Sequence, residues 1–67
     1  MDKNNVEILA RYPEIDYVTL RLKDATYYPY VAAWHFDNSD YTWGQGHYFS
    51  TKAEMKDYIM AKKGEQL

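Results

Sequence analysis

Hydrophobic and polar residues alternate strictly over residues 16–23. Such alternation is typical of a β-strand with one buried and one exposed face. Asp24, Ala25 and Thr26 then predict a turn. One face of the strand would carry Val18, Leu20 and Leu22, and the other Tyr17, Thr19, Arg21 and Lys23.

Two further strands are predicted over residues 27–37 and 41–49. The turn-forming residues Asn38, Ser39 and Asp40 lie between them. Pro29 cannot donate a hydrogen bond to a neighbouring strand, which predicts a position near a strand start or on an edge. Gly44 and Gly46 interrupt the last strand, which indicates a bulge or a close approach by a helix.

The C-terminal segment predicts a helix over residues 51–63. Thr51 and Glu54 have the spacing of a capping box, in which each side chain satisfies the start of the helix. Gly64 follows as a typical helix C-terminus. One amphipathic face of this helix has the spacing i, i+3, i+4 and i+7. This stripe consists of Met55, Tyr58, Ile59 and Lys62.

The N-terminal segment up to Pro13 is compatible with two structures. Asn4 or Asn5 could cap a short helix that ends before the proline, and we favour this interpretation. The alternation of Val6, Ile8 and Ala10 also permits an edge strand.

The resulting fold class is α+β, a single small domain over residues 1–67. We expect a three-stranded antiparallel meander with the C-terminal helix packed on one face and a short N-terminal helix, in the order (α)-β-β-β-α.

The loop between the second and third predicted strands decides which side chains share a face. A four-residue loop over residues 37–40 places Trp34 opposite Trp43, and we favour it because it groups the large aromatic residues. A three-residue loop places His35 opposite Trp43 and mixes the faces. In the favoured register, one face carries Tyr30, Ala32, Trp34, Phe36, Tyr41, Trp43, His47 and Phe49, and the helix lies on Val31, Ala33, Gly44 and Gly46.

Composition limits the function classes. The chain of 67 residues has no cysteine, so it contains neither a disulfide nor a thiolate metal site. Two Phe, two Trp and eight Tyr are more than a core this small can hide, and we expect some of them on the surface. The sequence shows no apolar leader or membrane-length apolar run, and we expect a cytoplasmic protein that does not contact a membrane.

No residue pattern predicts an enzyme, a metal site or a cofactor. His35 and His47 are the only histidines, and the favoured register places them on opposite faces. Asp37 and Asp40 could be combined with the two histidines as ligands. A metal site needs three or four converging ligands, however, and the histidines do not converge. We therefore expect no catalytic residues and no cofactor.

A nucleic-acid-binding accessory domain is the less favoured alternative. It would use Arg21, Lys23, Lys52 and Lys56 on phosphates, but residues 27–49 contain no lysine or arginine. The strand-strand-helix order over residues 30–63, with Phe-Ser-Thr-Lys-Ala-Glu at the helix start, resembles the small arm-binding domains of some DNA recombinases. Those domains have basic strands, which this chain lacks.

The pattern favours a protein-interaction module that contacts a partner protein or a second copy of itself. Interface cores are rich in Tyr and Trp and poor in charge, as residues 27–49 are. A further alternative is a small phage or mobile-element inhibitor of a larger host enzyme. The candidate contact residues are Tyr30, Trp34, Phe36, Tyr41 and Trp43.

Overall fold

A computed structural model describes residues 3–65 of the chain. It contains four strands and one long helix, and the α+β class with a C-terminal helix on an antiparallel meander is confirmed. Short 3-10 turns cover Lys3–Asn5 and Pro13–Ile15. The elements are β1 (Val6–Tyr12), β2 (Tyr17–Leu22), β3 (Tyr30–Trp34), β4 (Gln45–Phe49) and α1 (Lys52–Glu65), and the strands lie in the order β1-β2-β3-β4.

The favoured N-terminal helix is wrong, and the edge strand is correct. β1 pairs antiparallel with β2, which makes four strands instead of the predicted three. Pairing satisfies the backbone of this segment and buries Val6 against the sheet, which a single short helix turn would not do. The register shifts between Ile8 and Ala10, so Leu9 forms a bulge.

The bulge divides the side chains of β1 between the two faces of the sheet. Val6 and Ile8 pack on one face, opposite Leu22 and Leu20. Beyond Leu9, Ala10 and Tyr12 lie opposite Thr19 and Tyr17, on the face that carries α1. We call these the loop face and the helix face.

Both faces of the central strands are buried. Leu20, Val31 and Ala33 are inaccessible on the loop face, and Ala32 is inaccessible on the helix face. Thr19, on the same face as Ala32, is also buried. The expectation that β2 is half-buried is therefore wrong over residues 17–20, because a helix covers one side and a loop covers the other.

The helix packs through the predicted stripe, but on the other face from the one we favoured. Met55 and Ile59 are buried, and Ile59 packs with Tyr17 and Ala32. The prediction that α1 lies over Val31 and Ala33 is wrong. A cluster of buried aliphatic residues and aromatic loop residues occupies that face instead.

Local signals fixed the helix start more accurately than its end. The Glu54 N–H donates to Thr51 Oγ1 at 3.2 Å, as a capping box requires. The carboxylate accepts from the hydroxyls of Ser50 at 2.8 Å and Thr51 at 3.1 Å, and these hydrogen bonds hold the pKa of Glu54 below its usual value. Gly64 does not end the helix, which continues to Glu65.

The hairpin register differs from both alternatives. Trp34 pairs with Gln45 and Ala32 with His47, so β3 and β4 are joined by a ten-residue connection over residues 35–44. The register is displaced by two residues from the favoured one, which preserves the faces within the strands. Residues 35–37 and 41–44, which we assigned to strands, leave the sheet apart from one isolated bridge between Asp37 and Thr42.

No helix in the described part of the chain is both long and apolar enough to cross a membrane.

The hydroxyls of Tyr17 and Tyr58 lie 3.1 Å apart under α1. Burial and this hydrogen bond raise the pKa of Tyr17 above 10.0. Above that pH the unfolded chain loses this proton while the folded chain keeps it, so the free energy of unfolding falls as pH rises towards the folded-state pKa.

We therefore expect denaturant unfolding at about pH 9 and about pH 11 to show a smaller loss of stability in Tyr17→Phe than in the wild type. Tyr27→Phe, which alters a 79% exposed ring, is the control and should lose as much as the wild type. An equal loss in all three proteins would contradict this assignment.

Candidate protein-contact surface

The connection over residues 35–44, here called the aromatic loop, folds back over the loop face of the sheet. Phe36, Tyr41 and Trp43 pack against the cluster that contains Leu20 and Val31. Their rings also contact one another, with centroids 5.4 Å apart for Phe36 and Tyr41 and 6.2 Å apart for Phe36 and Trp43. The aromatic loop is therefore the second cover of the core.

Polar residues fix the turn of the aromatic loop. Asp37 Oδ1 accepts hydrogen bonds from the backbone N–H of Ser39 at 2.7 Å and of Asp40 at 3.3 Å. The Asp37 N–H donates to Thr42 O at 2.7 Å, which closes the loop. These are the local hydrogen bonds for which aspartate is favoured in turns.

Two contacts anchor the aromatic loop to the rest of the chain. Arg11 Nη1, on β1, donates to Asn38 Oδ1 at 2.6 Å. At the start of the loop, His35 Nδ1 pairs with the Asp16 carboxylate, and the His35 N–H donates to Asp16 O at 3.2 Å. Asp16 and His35 both have left-handed backbones, with φ of 60° and 61°, and their mutual bonds hold this geometry.

Tyr41 also has a left-handed backbone, with φ of 54°. A bulky residue in this region costs about 1–3 kcal/mol, and it persists only where its surroundings hold it. Here the Tyr41 N–H donates to Asp37 O at 2.9 Å while the ring packs on Phe36. The strained residue lies at the centre of the aromatic loop.

Gly46 provides the space for Trp43 on β4. A Cβ atom built on Gly46 would lie 2.6 Å from Trp43 Nε1 and 3.2 Å from Tyr48 Cε1. The first distance is shorter than a Cβ contact allows and the second is tight, so a side chain at position 46 would have to displace the indole. Gly44 similarly lies against the ring of Trp34, since a Cβ atom built on it would be 3.3 Å from Trp34 Cε3. The strand glycines thus seat aromatic rings, whereas we expected them to seat the helix.

The outer side of the aromatic loop forms an open groove of about 250 Å³. Its lining residues are Tyr41, Thr42, Trp43 and Tyr48. Tyr48 is half exposed, and Tyr41 and Trp43 are partly exposed. We call Phe36, Tyr41, Trp43 and Tyr48 together the aromatic surface.

The five predicted contact residues do not form one surface. Phe36, Tyr41 and Trp43 come together on the loop face. Tyr30 lies on the helix face, opposite Phe49. Trp34, also on that face, is 37% exposed and stacks on His35 with ring centroids 4.3 Å apart.

Sequence reasoning missed Tyr48. The alternation along β4 contained the signal, because it places Tyr48 on the opposite face from His47 and Phe49. The contribution of Tyr48 to a groove depended on the aromatic loop folding next to it, and no local pattern predicts that fold.

The four basic candidates do not lie on the aromatic surface. Arg21 Nε is 2.8 Å from Glu7 Oε1, so its charge is already paired. Lys23 is in the exposed turn after β2. Lys52 and Lys56 line a cavity of about 290 Å³ on the helix side, between α1 and β1.

The two histidines are also apart. His47 contacts the Tyr58 ring on the helix face, with centroids 4.5 Å apart, whereas His35 pairs with Asp16. Within residues 3–65, no group of three or more His, Asp or Glu residues is arranged to hold a metal ion.

No model of a known protein family matches this chain, and neither a curated protein nor a solved structure is significantly similar to it.

We expect Gly46→Ala to displace the Trp43 indole and to destabilise the fold by about 1–3 kcal/mol, as overpacking usually does. The Trp43 indole N–H resonance should shift by NMR, and denaturant unfolding should measure the loss. Gly64→Ala is the control, since a Cβ there meets nothing within 4 Å. It lies in α1 and should stabilise the protein by up to about 0.5–1 kcal/mol. An unchanged indole resonance in Gly46→Ala would contradict the seating of Trp43 on this glycine.

Proposed function

We propose that this chain is a non-enzymatic protein-interaction module whose contact surface is the aromatic surface. The observation that carries the proposal is that nearly all of the aromatic residues are exposed or partly exposed. Tyr17 is the only one of the two Phe, two Trp and eight Tyr that is buried. Apart from Tyr17, no buried core residue among the described residues carries an aromatic ring, so the excess of aromatic residues is not explained by core burial alone.

The chemistry of the aromatic surface supports this role. Tyrosine and tryptophan at the centre of an interface contribute large contact areas at a low cost in conformational entropy. Residues 41–51 contain no Asp, Glu, Lys or Arg, and charge is depleted in the same way at interface cores. The groove beside Trp43 and Tyr48 offers a concave position for a partner side chain.

The rigidity of the aromatic loop supports it as well. Asp37 and Asn38 fix the turn, and Gly46 fixes the position of the indole. A surface that is already in its binding conformation loses less entropy when it binds.

Nucleic-acid binding receives less support. Aromatic residues that stack on bases usually lie beside cationic groups that contact phosphates. Here Lys52 and Lys56 are on the helix side, the aromatic surface is on the loop face, and Arg21 is paired with Glu7.

If the chain is a small phage or mobile-element inhibitor, the partner that contacts the aromatic surface would be a larger host enzyme. We also propose a cytoplasmic location, with which a chain without cysteine is compatible.

A photo-crosslinking amino acid at position 48 tests the proposal in cell extract. We expect it to capture a protein that the same amino acid at the exposed position 27 does not capture. The captured protein, once purified, should bind Tyr48→Ala and Trp43→Ala about tenfold or more weakly than wild type.

Tyr27→Ala is the matched control and should bind within about twofold of wild type, because its ring is exposed in the β2–β3 connection. Binding of an oligonucleotide mixture at low salt tests the alternative function, nucleic-acid binding. Equal capture from positions 48 and 27 would refute the proposed surface. The same conclusion would follow if only Lys52→Gln and Lys56→Gln weakened binding of the captured partner.

A further inference from the structure

The open edge of β4 lies directly beside the aromatic surface. Hydrogen bonds on the other side of β3 determine which backbone groups point outward. The Leu22 N–H donates to Pro29 O at 2.7 Å, and the His35 N–H donates to Asp16 O at 3.2 Å. The backbone N–H and C=O groups of odd-numbered residues in β3, and in the residues just before and after it, therefore point towards β2. Because successive residues alternate sides, the even-numbered residues face β4.

The register extends this alternation to β4. Even-numbered residues of β3 pair with odd-numbered residues of β4, as Ala32 does with His47. The odd-numbered residues of β4 thus direct their N–H and C=O groups towards β3. Gly46 and Tyr48 direct theirs away from the sheet, where an added strand would find them.

The two edges of the sheet differ in how they discourage such an addition. β1 contains the charged residues Glu7 and Arg11 and the bulge at Leu9, which are features that protect an edge. β4, Gln45–Phe49, contains no Asp, Glu, Lys, Arg or Pro and shows no bulge within its paired residues. Its edge is available for pairing.

The edge of β4 is complementary to a second copy of itself. If two β4 strands pair antiparallel with His47 opposite the partner's His47, Gly46 lies opposite the partner's Tyr48. Both residues direct their backbone groups outward, so each pair can exchange both hydrogen bonds. On the loop face, each Gly46 is already covered by the Trp43 indole of its own chain, so the pairing brings the two aromatic surfaces next to each other.

Charge favours the same occupant. Like charges directly opposite each other across two paired strands are destabilising, and a segment without charged residues avoids this when two copies meet. Residues 41–51 are free of Asp, Glu, Lys and Arg although the chain has a net charge of −2. Two copies can approach at β4 without repulsion between carboxylates or ammonium groups of this segment.

We propose that two copies of this chain associate through antiparallel pairing of their β4 strands, which joins two sheets into one and places the two aromatic surfaces side by side. The proposal rests on the proposed function and identifies the partner as a second copy. An isologous two-fold contact of this kind is the commonest form of homodimer.

Amide hydrogen exchange measured by NMR at low and high protein concentration tests the edge directly. When nine-tenths of the chains are dimeric, the amides of Gly46 and Tyr48 should exchange about tenfold more slowly, because exchange then requires dissociation. The amides of Gln45 and His47 already face β3 and should change little. A protein that sediments as a monomer at about 1 mM, a weak-binding limit, would overturn the proposal.

Two substitutions at one position separate the backbone from the ring. Tyr48→Thr and Tyr48→Pro both remove the ring, but only proline also removes the outward N–H. Proline is tolerated where the N–H faces away from the sheet, so both variants should fold, which circular dichroism checks. We expect Tyr48→Pro to sediment as a monomer at concentrations where Tyr48→Thr is still partly dimeric. Equal weakening in the two variants would overturn strand pairing.

The outcomes distinguish this inference from the proposed function. Capture of a different protein at position 48, with Gly46 and Tyr48 amides exposed at every concentration, would refute the β4 dimer and leave the aromatic surface as the contact. Concentration-dependent protection of these two amides with no loss of dimer in Trp43→Ala would support strand pairing and refute a role for the aromatic surface.

Discussion

The structure depends on covering both faces of one small sheet. A sheet whose central strands are apolar on both sides is stable in water only if each face packs against something. Leu20 and Val31 point to one face and Ala32 to the other, and all are inaccessible to solvent. One helix is enough for a single face, so the chain uses its longest connection, the aromatic loop, for the second.

The choice of cover has consequences for function. A loop that covers an aliphatic core must bring apolar side chains of its own, and here these are Phe36, Tyr41 and Trp43. Each aromatic ring has two faces. Because no further layer of the described chain covers the loop, only the ring face towards the core is buried. The outer faces and the neighbouring Tyr48 are left at the surface, where they form the groove. The same residues therefore stabilise the fold and provide the surface that we propose for contact.

Glycine and strained backbone are concentrated around this loop. Gly44 and Gly46 lie under indole rings, and His35 and Tyr41 have left-handed backbones. The two left-handed residues depart from regular strand geometry, and they lie within the ten-residue connection that replaces the predicted hairpin. Arg21, by contrast, pairs with Glu7 on the neighbouring strand, and Lys52 and Lys56 line the cavity on the helix side. Lys52 and Lys56 thus lie on the opposite side of the sheet from the aromatic surface.

The sequence by itself determined the elements whose signals are local. The capping residues Thr51 and Glu54 and the stripe of Met55 and Ile59 predicted α1, because these contacts lie within one turn of each other in the chain. Alternation predicted β2 and the separation of its side chains, because a strand has a period of two.

Only the tertiary structure decided the rest of the fold. β1 became a strand because β2 offered an unpaired edge, which a short segment cannot signal by itself. The register of β3 and β4, the face taken by α1 and the fold of the aromatic loop depend on contacts between residues distant in sequence. Phe36, Tyr41 and Trp43 were predicted as a contact group from composition. Their meeting with Tyr48, and their separation from Tyr30 and Trp34, followed from where the strands ended, since side chains beyond the last paired residue no longer obey the alternation of the sheet.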